Sequence, residues 1–221
     1  MSSNRQTRKD IAEETVRILN QKKYIHPISK QEVCIDEAMK RSCKGTIVFD
    51  EETARAGIKS ADTQSGKNIK ECSSISSTTY PKISVVNQTT FGAAREIIEK
   101  QQVNQQDTTV ASISSSSSKS KPDVCCLNFA SAKNPGGGFL KGSQAQEESL
   151  ARASGLYSCL LKAPKYYNEN GKNRKQGLYQ DLVIYSPDVP VFRDDNDQLI
   201  EIIIIIITQR LIELTSISCR I

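Results

Sequence analysis

NFASAKNPGGGFLKGSQAQEE, residues 128–148, is the stretch on which the reading of this chain turns. It leaves a continuous apolar run, Val124–Ala130, whose length predicts a buried strand, and it enters a helix predicted from about Gln146 to Leu161. Between them stand three consecutive glycines, Gly136, Gly137 and Gly138. Glycine at such a turn lets the backbone approach a ligand and present its N–H groups. Strand, glycine turn and helix N-terminus together make an anion site, because unpaired amides and the helix dipole both favour negative charge. A phosphate or diphosphate is the ligand such a turn suits; a turn tightened for packing is the second reading. No G-K-[ST] follows the last glycine, and the spacing is not G-x-G-x-x-G. Gln146, Glu147 and Glu148 open the helix. Successive helical residues point about 100° apart, so one carboxylate can face a ligand while its neighbour orients it. Acids in a first turn also complement the helix dipole with no further role.

Upstream, residues 5–22 place Ile11, Val16, Ile18 and Leu19 on one face and read as an amphipathic helix. From Lys23 to Tyr80 the chain reads as mostly irregular, with a short strand at Ile47–Phe49 and a loop over Lys59–Thr79. Ile83–Val86 is β-branched and predicts a buried strand. Thr89 or Thr90 then caps a helix over Phe91–Gln101, with Ala93, Ala94, Ile97 and Ile98 on its apolar side. Residues 102–121 form a Ser-rich insertion unable to build a core. Downstream, residues 163–178 read as a basic loop, Leu182–Tyr185 as a strand, and Ser186–Phe192 as a turn with an extended exit. Strands alternating with helices predict an α/β sandwich on a mixed sheet. The expected layout is an N-terminal helix over 1–22, one α/β domain over 23–199 with the insertion at about 102–121, and an atypical tail over 200–221. Six isoleucines, Ile202–Ile207, make that tail an aggregation hazard as a strand, and we expect the natural reading frame to depart near Leu199.

Composition removes whole mechanism classes. The 221 residues include a single histidine, His26, which has no partner motif for a Ser-His-Asp or Cys-His arrangement. Zinc sites built on two histidines are impossible, and no metal site is expected. The seven cysteines are odd in number and form no C-x-x-C pair, which points to reduced thiols in the cytoplasm or nucleus. The polar N-terminus is not a secretory signal, and the isoleucine run is too short to span a bilayer, so no membrane is expected. A net charge of +5 tolerates a polyanion but lacks the denser stripe of a DNA-specific binder. Cys125 and Cys126 read as strand packing. Lys162, Lys165, Lys172, Arg174 and Lys175 either touch a polyanion or face solvent, and Tyr166-Tyr167 either stacks on a base or packs. Arg193 and Asp195 read as a structural pair.

The glycine triplet, a seven-residue gap and Gln146-Glu147-Glu148 resemble the signature of poly(ADP-ribose) glycohydrolases, and the flanks resemble their bacterial-type branch. Those flanks are residues 127–135, 145–157 and 186–193, with weaker likeness over 5–20 and 86–95. The resemblance implies a macrodomain-like three-layer sandwich, a mixed sheet flanked by helices. It implies hydrolysis of ribose–ribose O-glycosidic bonds in poly(ADP-ribose), with release of ADP-ribose and no cofactor. The partners implied are poly(ADP-ribose) or ADP-ribosylated proteins. Carried over residue by residue, Glu148 is the general acid and base, and Glu147 and Asn134 hold the ribose. Gly136, Gly137 and Gly138 lend amides to ribose and diphosphate, and Gln146 supports the loop. The family's second glycine-rich loop has no counterpart in residues 194–221, so the fold is expected to be incomplete at its C-terminal side. A non-catalytic ADP-ribose-binding remnant is the alternative. A generic nucleotide-phosphate hydrolase is weaker, since no Walker lysine or metal-carboxylate cluster accompanies the loop.

Overall fold

The computed structural model describes residues 4–50, 52–53, 83–106, 124–172 and 181–210. Helix α1 (Arg5–Gln21) starts where the Asn4 side chain accepts the Thr7 amide at 2.8 Å, and stops at Lys22, which is left-handed and returns its N–H to the Ile18 carbonyl. A hairpin of β1 (Lys23–Ile25) and β2 (Glu32–Cys34) leads to α2 (Asp36–Gly45) and β3 (Ile47–Phe49). Helix α3 (Thr90–Gln106), strand β4 (Cys125–Asn128) and a 3-10 turn (Phe139–Lys141) follow. Then come α4 (Gln146–Ala153), α5 (Leu156–Leu160), α6 (Pro164–Lys172), β5 (Val183–Arg193) and β6 (Leu199–Arg210).

The main sheet has the order β3-β5-β6-β4. Strand β5 runs antiparallel to both its neighbours, and β4 runs parallel to β6, so the sheet is mixed as expected. Alternation along a strand sends successive side chains to opposite faces. Val191 packs with Phe91, Ile98, Leu156 and Tyr166, whereas Phe192 packs with Ile18, Ile35 and Met39. Helices therefore cover both faces, which is the three-layer sandwich. The isoleucine run obeys the same rule: Ile203, Ile205 and Ile207 join the first cluster and Ile202 the second. A strand paired on both sides and packed on both faces takes a continuous apolar run. So the stretch assigned to an atypical tail is, from Leu199 to Arg210, an inner strand of the sheet rather than an exposed edge.

Several local expectations change. Ile83–Val86 forms no ladder and lies open to solvent, with Ile83 88% and Val85 96% exposed, because no neighbouring strand among the described residues offers it hydrogen bonds. Strand β4 is half-buried rather than buried: its face bearing Cys126 and Asn128 is covered, while Cys125, Leu127 and the following Phe129 are exposed, since among described strands only β6 pairs with it. On α3, Phe91, Ala94 and Ile98 face the core and Ile97 is exposed. Thr89 is the cap, its hydroxyl accepting the Gly92 amide at 3.0 Å. The helix expected from Gln146 to Leu161 breaks at Ser154-Gly155, where Ser154 bridges to Val191 and Gly155 donates to the Pro190 carbonyl at 2.9 Å. Val183–Arg193 is one strand carrying register shifts, not a strand and a turn. Helices α2 and α6 stand where irregular chain was expected. Asp36 and Glu37 at the start of α2, and Pro164 at the first position of α6, are the local signals for them. The loop over Lys59–Thr79 and residues 107–121 of the insertion lie outside the described residues.

Candidate functional site

Beyond β4 the chain makes a compact loop held against the first turn of α4. Gln146 ties the strand exit in place: its Nε2 donates to the Leu127 carbonyl (2.7 Å) and to Thr90 Oγ1 (3.1 Å), and its Oε1 accepts the Phe129 amide (2.7 Å). It thus supports the base of the loop and not the glycines. Glu147 points inward and is only 3% exposed. Its Oε2 accepts the Ser131 amide at 2.7 Å. Burial pushes its carboxyl up from 4.5 to about 7; the Ser131 amide, the Asn128 side chain and the Gly136 amide pull the other way and do not outweigh it. Glu148 is the more open of the two. Its Oε1 accepts the Gly138 amide at 2.9 Å and its Oε2 the Ala145 amide at 3.0 Å.

Both carboxylates converge on Gly137. That residue has φ +59°, a left-handed conformation that favours glycine. A Cβ placed on it would lie 2.4 Å from Glu148 Oε1 and 3.2 Å from Glu147 Oε2. The Gly137 amide donates to the Asn134 carbonyl at 2.9 Å, closing the turn. The Gly136 and Gly138 amides, expected to serve an anion, are directed instead at Glu147 and Glu148. A ligand oxygen therefore has to take these donors from the acids. Asn134, exposed at the rim, is held by its own amide against Ser131 Oγ at 3.2 Å. The fold brings Asn134, the three glycines, Glu147 and Glu148 together, with Gln146 beside them at the strand exit.

Sequence reasoning missed Ser131 and Asn128, which surround Glu147; both lie within or at the edge of the quoted stretch, and Ser131 has the turn chemistry of a Ser bonding two amides ahead. It also missed that α1 grips the loop: Arg5 Nε donates to the Lys141 carbonyl (3.0 Å) and Arg8 Nε to the Gly142 carbonyl (2.9 Å). No local pattern announces partners this far apart in the chain.

The remaining candidates sort themselves. Cys126 is buried and its thiol is pushed up to about 11 by desolvation, but Cys125 is exposed. Tyr166 is fully buried and meets Tyr167 edge-on at 5.1 Å, a packing role. Lys165 pairs with Asp50 (2.6 Å) and Lys172 with Glu169 (2.7 Å), while Arg174 and Lys175 lie outside the described residues. Arg193 pairs with Glu14 at 2.5 Å, and Asp195 takes the Thr89 hydroxyl at 2.7 Å, so these two are not each other's partners. A cleft of about 480 Å³, lined by Thr89, Thr90, Gln146, Ser149, Arg152 and Asp195 among others, opens beside α4; neither Glu147 nor Glu148 lines it.

A mixed sheet between helical layers, with a glycine turn leading into paired acids, defines a macrodomain-like protein. Comparison with known proteins narrows this. The family model for the microbial-type PARG catalytic domain matches residues 12–194. The structure is similar to poly(ADP-ribose) glycohydrolase (PARG) from Thermomonospora curvata, with 34% identity and a TM-score of 0.67, over 93% of this chain and 64% of that one. The same enzyme bound to the inhibitor ADP-HPD matches with 33% identity and a TM-score of 0.66, over 93% and 62%. PARG from Deinococcus radiodurans in complex with ADP-ribose matches with 36% identity and a TM-score of 0.53, over 77% and 57%. No curated protein matches the chain. The chain belongs to the microbial-type PARG catalytic-domain family, and it spans less than two thirds of the length of these solved relatives.

Proposed function

We propose that this chain is a glycosidase that hydrolyses the ribose–ribose O-glycosidic bonds of poly(ADP-ribose) and releases ADP-ribose. The observation that carries the reading is the convergence of Glu147 and Glu148 on Gly137, at a loop whose amides can pass from carboxylate to ligand. Glu148 is the acid and base. It protonates the leaving ribose oxygen as the glycosidic bond breaks and an oxocarbenium-like centre forms. Water then attacks that centre, and Glu148 takes back the proton. Glu147 has the higher affinity for a proton than an ordinary carboxyl, but it is enclosed and committed to Ser131. Its part is to hold ribose hydroxyls, with Asn134 on the same sugar. As substrate enters, Glu148 releases the Gly138 amide, and the amides of Gly136–Gly138 turn to ribose and diphosphate oxygens. No step needs a cofactor. Five unpaired thiols among the described residues fit a reducing compartment, cytoplasm or nucleus.

The test is release of ADP-ribose from purified poly(ADP-ribose), followed by chromatography, with Glu148→Gln as the control that keeps ADP-ribose binding. A second reading is an ADP-ribose-binding domain without turnover, which the same loop amides would serve whether or not Glu148 transfers a proton. Calorimetric binding of ADP-ribose with no release from the polymer would select it.

A further inference from the structure

Helix α1 breaks two local rules at one place. Its first turns carry Arg5, Arg8 and Lys9 and no acidic residue in the first turn, although a helix N-terminus repels cations. Arg5 and Lys9 are also four residues apart, like charges on one face. The main chain of Arg5 lies against the glycine loop: a Cβ on Gly142, whose φ is +72°, would come 2.3 Å from the Arg5 carbonyl and 3.2 Å from the Lys9 side chain. Arg5 also donates to the Lys141 carbonyl. Arg5 and Lys9 of α1 thus meet the main chain of Lys141 and Gly142 at the far end of the loop, where the Lys141 side chain is exposed. Lys141 in turn donates its amide to the Gly138 carbonyl at 2.9 Å, one short turn from the amide that Glu148 accepts.

Unlike Lys165 and Lys172, which have carboxylate partners, Arg5, Lys9 and Lys141 have no carboxylate within 4.0 Å among the described residues. Cations without carboxylate partners around one loop attract a polyanion. Resting on the polymer-cleaving reading above, we propose that Arg5, Lys9 and Lys141 form a surface that holds the body of the poly(ADP-ribose) chain beyond the unit being cleaved. Each unit of that polymer carries a diphosphate, so the surface meets repeating negative charge next to the site. Binding there releases counterions and depends on salt.

The experiment compares ADP-ribose with long poly(ADP-ribose) as ligands, in the Glu148→Gln background so that the polymer is not consumed. The double variant Lys9→Gln/Lys141→Gln is expected to leave ADP-ribose affinity unchanged. It should lower the dependence of log affinity for polymer on log salt by about 1.4, roughly 0.7 for each cation removed. The reversal Lys9→Glu/Lys141→Glu should weaken polymer binding by at least about tenfold more than it weakens ADP-ribose binding. Unchanged polymer affinity and salt slope, with ADP-ribose binding intact, overturn the proposal. So does an equal loss for both ligands in the milder Gln variant, which marks the lysines as structural. Failure of the parent chain to bind ADP-ribose overturns instead the reading on which the proposal rests.

Discussion

Helix α4 has two polar faces, built on opposite plans. On one, Glu147 and Glu148 meet the glycine loop, and each carboxylate accepts backbone amides. There the acids themselves fill the space a ligand would use. On the other, Gln146, Ser149 and Arg152 border an open cleft. Arg152 there is buried and satisfied by the Ser143 carbonyl at 2.7 Å and Ser149 Oγ at 3.2 Å. The cleft has room, and acids line it too, Asp194, Asp195 and Asp197, but no glycine does. The loop has the acids and donors but no room until they part. An open cavity marks available volume; reactive groups are found where a structure holds polar atoms that a ligand can exchange for its own.

Four substitutions separate the faces. Glu148→Gln removes the transferable proton, and release of ADP-ribose should fall by on the order of a hundredfold to ten-thousandfold. Turnover within tenfold of the parent would move the acid elsewhere, Glu147 first. Glu147→Gln acts on stability through pH. Because the folded carboxyl titrates near 7 and the unfolded one near 4.5, the folded state binds the proton more tightly. The parent therefore loses stability as pH rises from about 4.5 to about 7. Denaturant unfolding should find the Gln variant more stable than the parent at pH 8, by an upper figure of about 3 kcal/mol at about 1.4 kcal/mol per unit, and no more stable at pH 4. A difference that stays constant with pH would show that Glu147 is ionised alike in both states. Gly137→Ala places a methyl against Glu148 and demands a left-handed alanine, a cost of about 1–2 kcal/mol before any loss of activity. An unshifted unfolding midpoint would mean that the loop yields without resistance. Ser149→Ala, on the cleft face, loses its hydrogen bonds to Ala145 and Arg152 and should cost no more than about 1 kcal/mol, with release of ADP-ribose unchanged. A strong loss of release there would place the reaction in the cleft.

Much of the acid-bearing face was legible from residues 128–148. Strand exit, glycine turn and helix start follow from local properties, and in the structure the named residues lie around one loop. What was not legible is the internal use of the amides. The same glycine N–H can face solvent, a ligand or a carboxylate, and only the packing of α4 against the loop selects. The two β-branched runs show the same limit. Ile202–Ile207 looked anomalous and is an inner strand; Ile83–Val86 looked like a buried strand and is exposed. Their composition is alike. Their neighbours are not, since β6 has a strand on each side and residues 83–86 have none among those described.

By itself the sequence determined what depends on short-range geometry: glycines where the backbone must turn, and acids one helical step apart. The tertiary structure alone decided the state of those groups. Glu147 holds its proton near neutrality because burial outweighs the hydrogen bonds from Ser131, Asn128 and Gly136, and Arg5 reaches Lys141 across 136 positions of chain. Burial and long-range hydrogen bonds are properties of the packed neighbourhood, which no single segment carries with it.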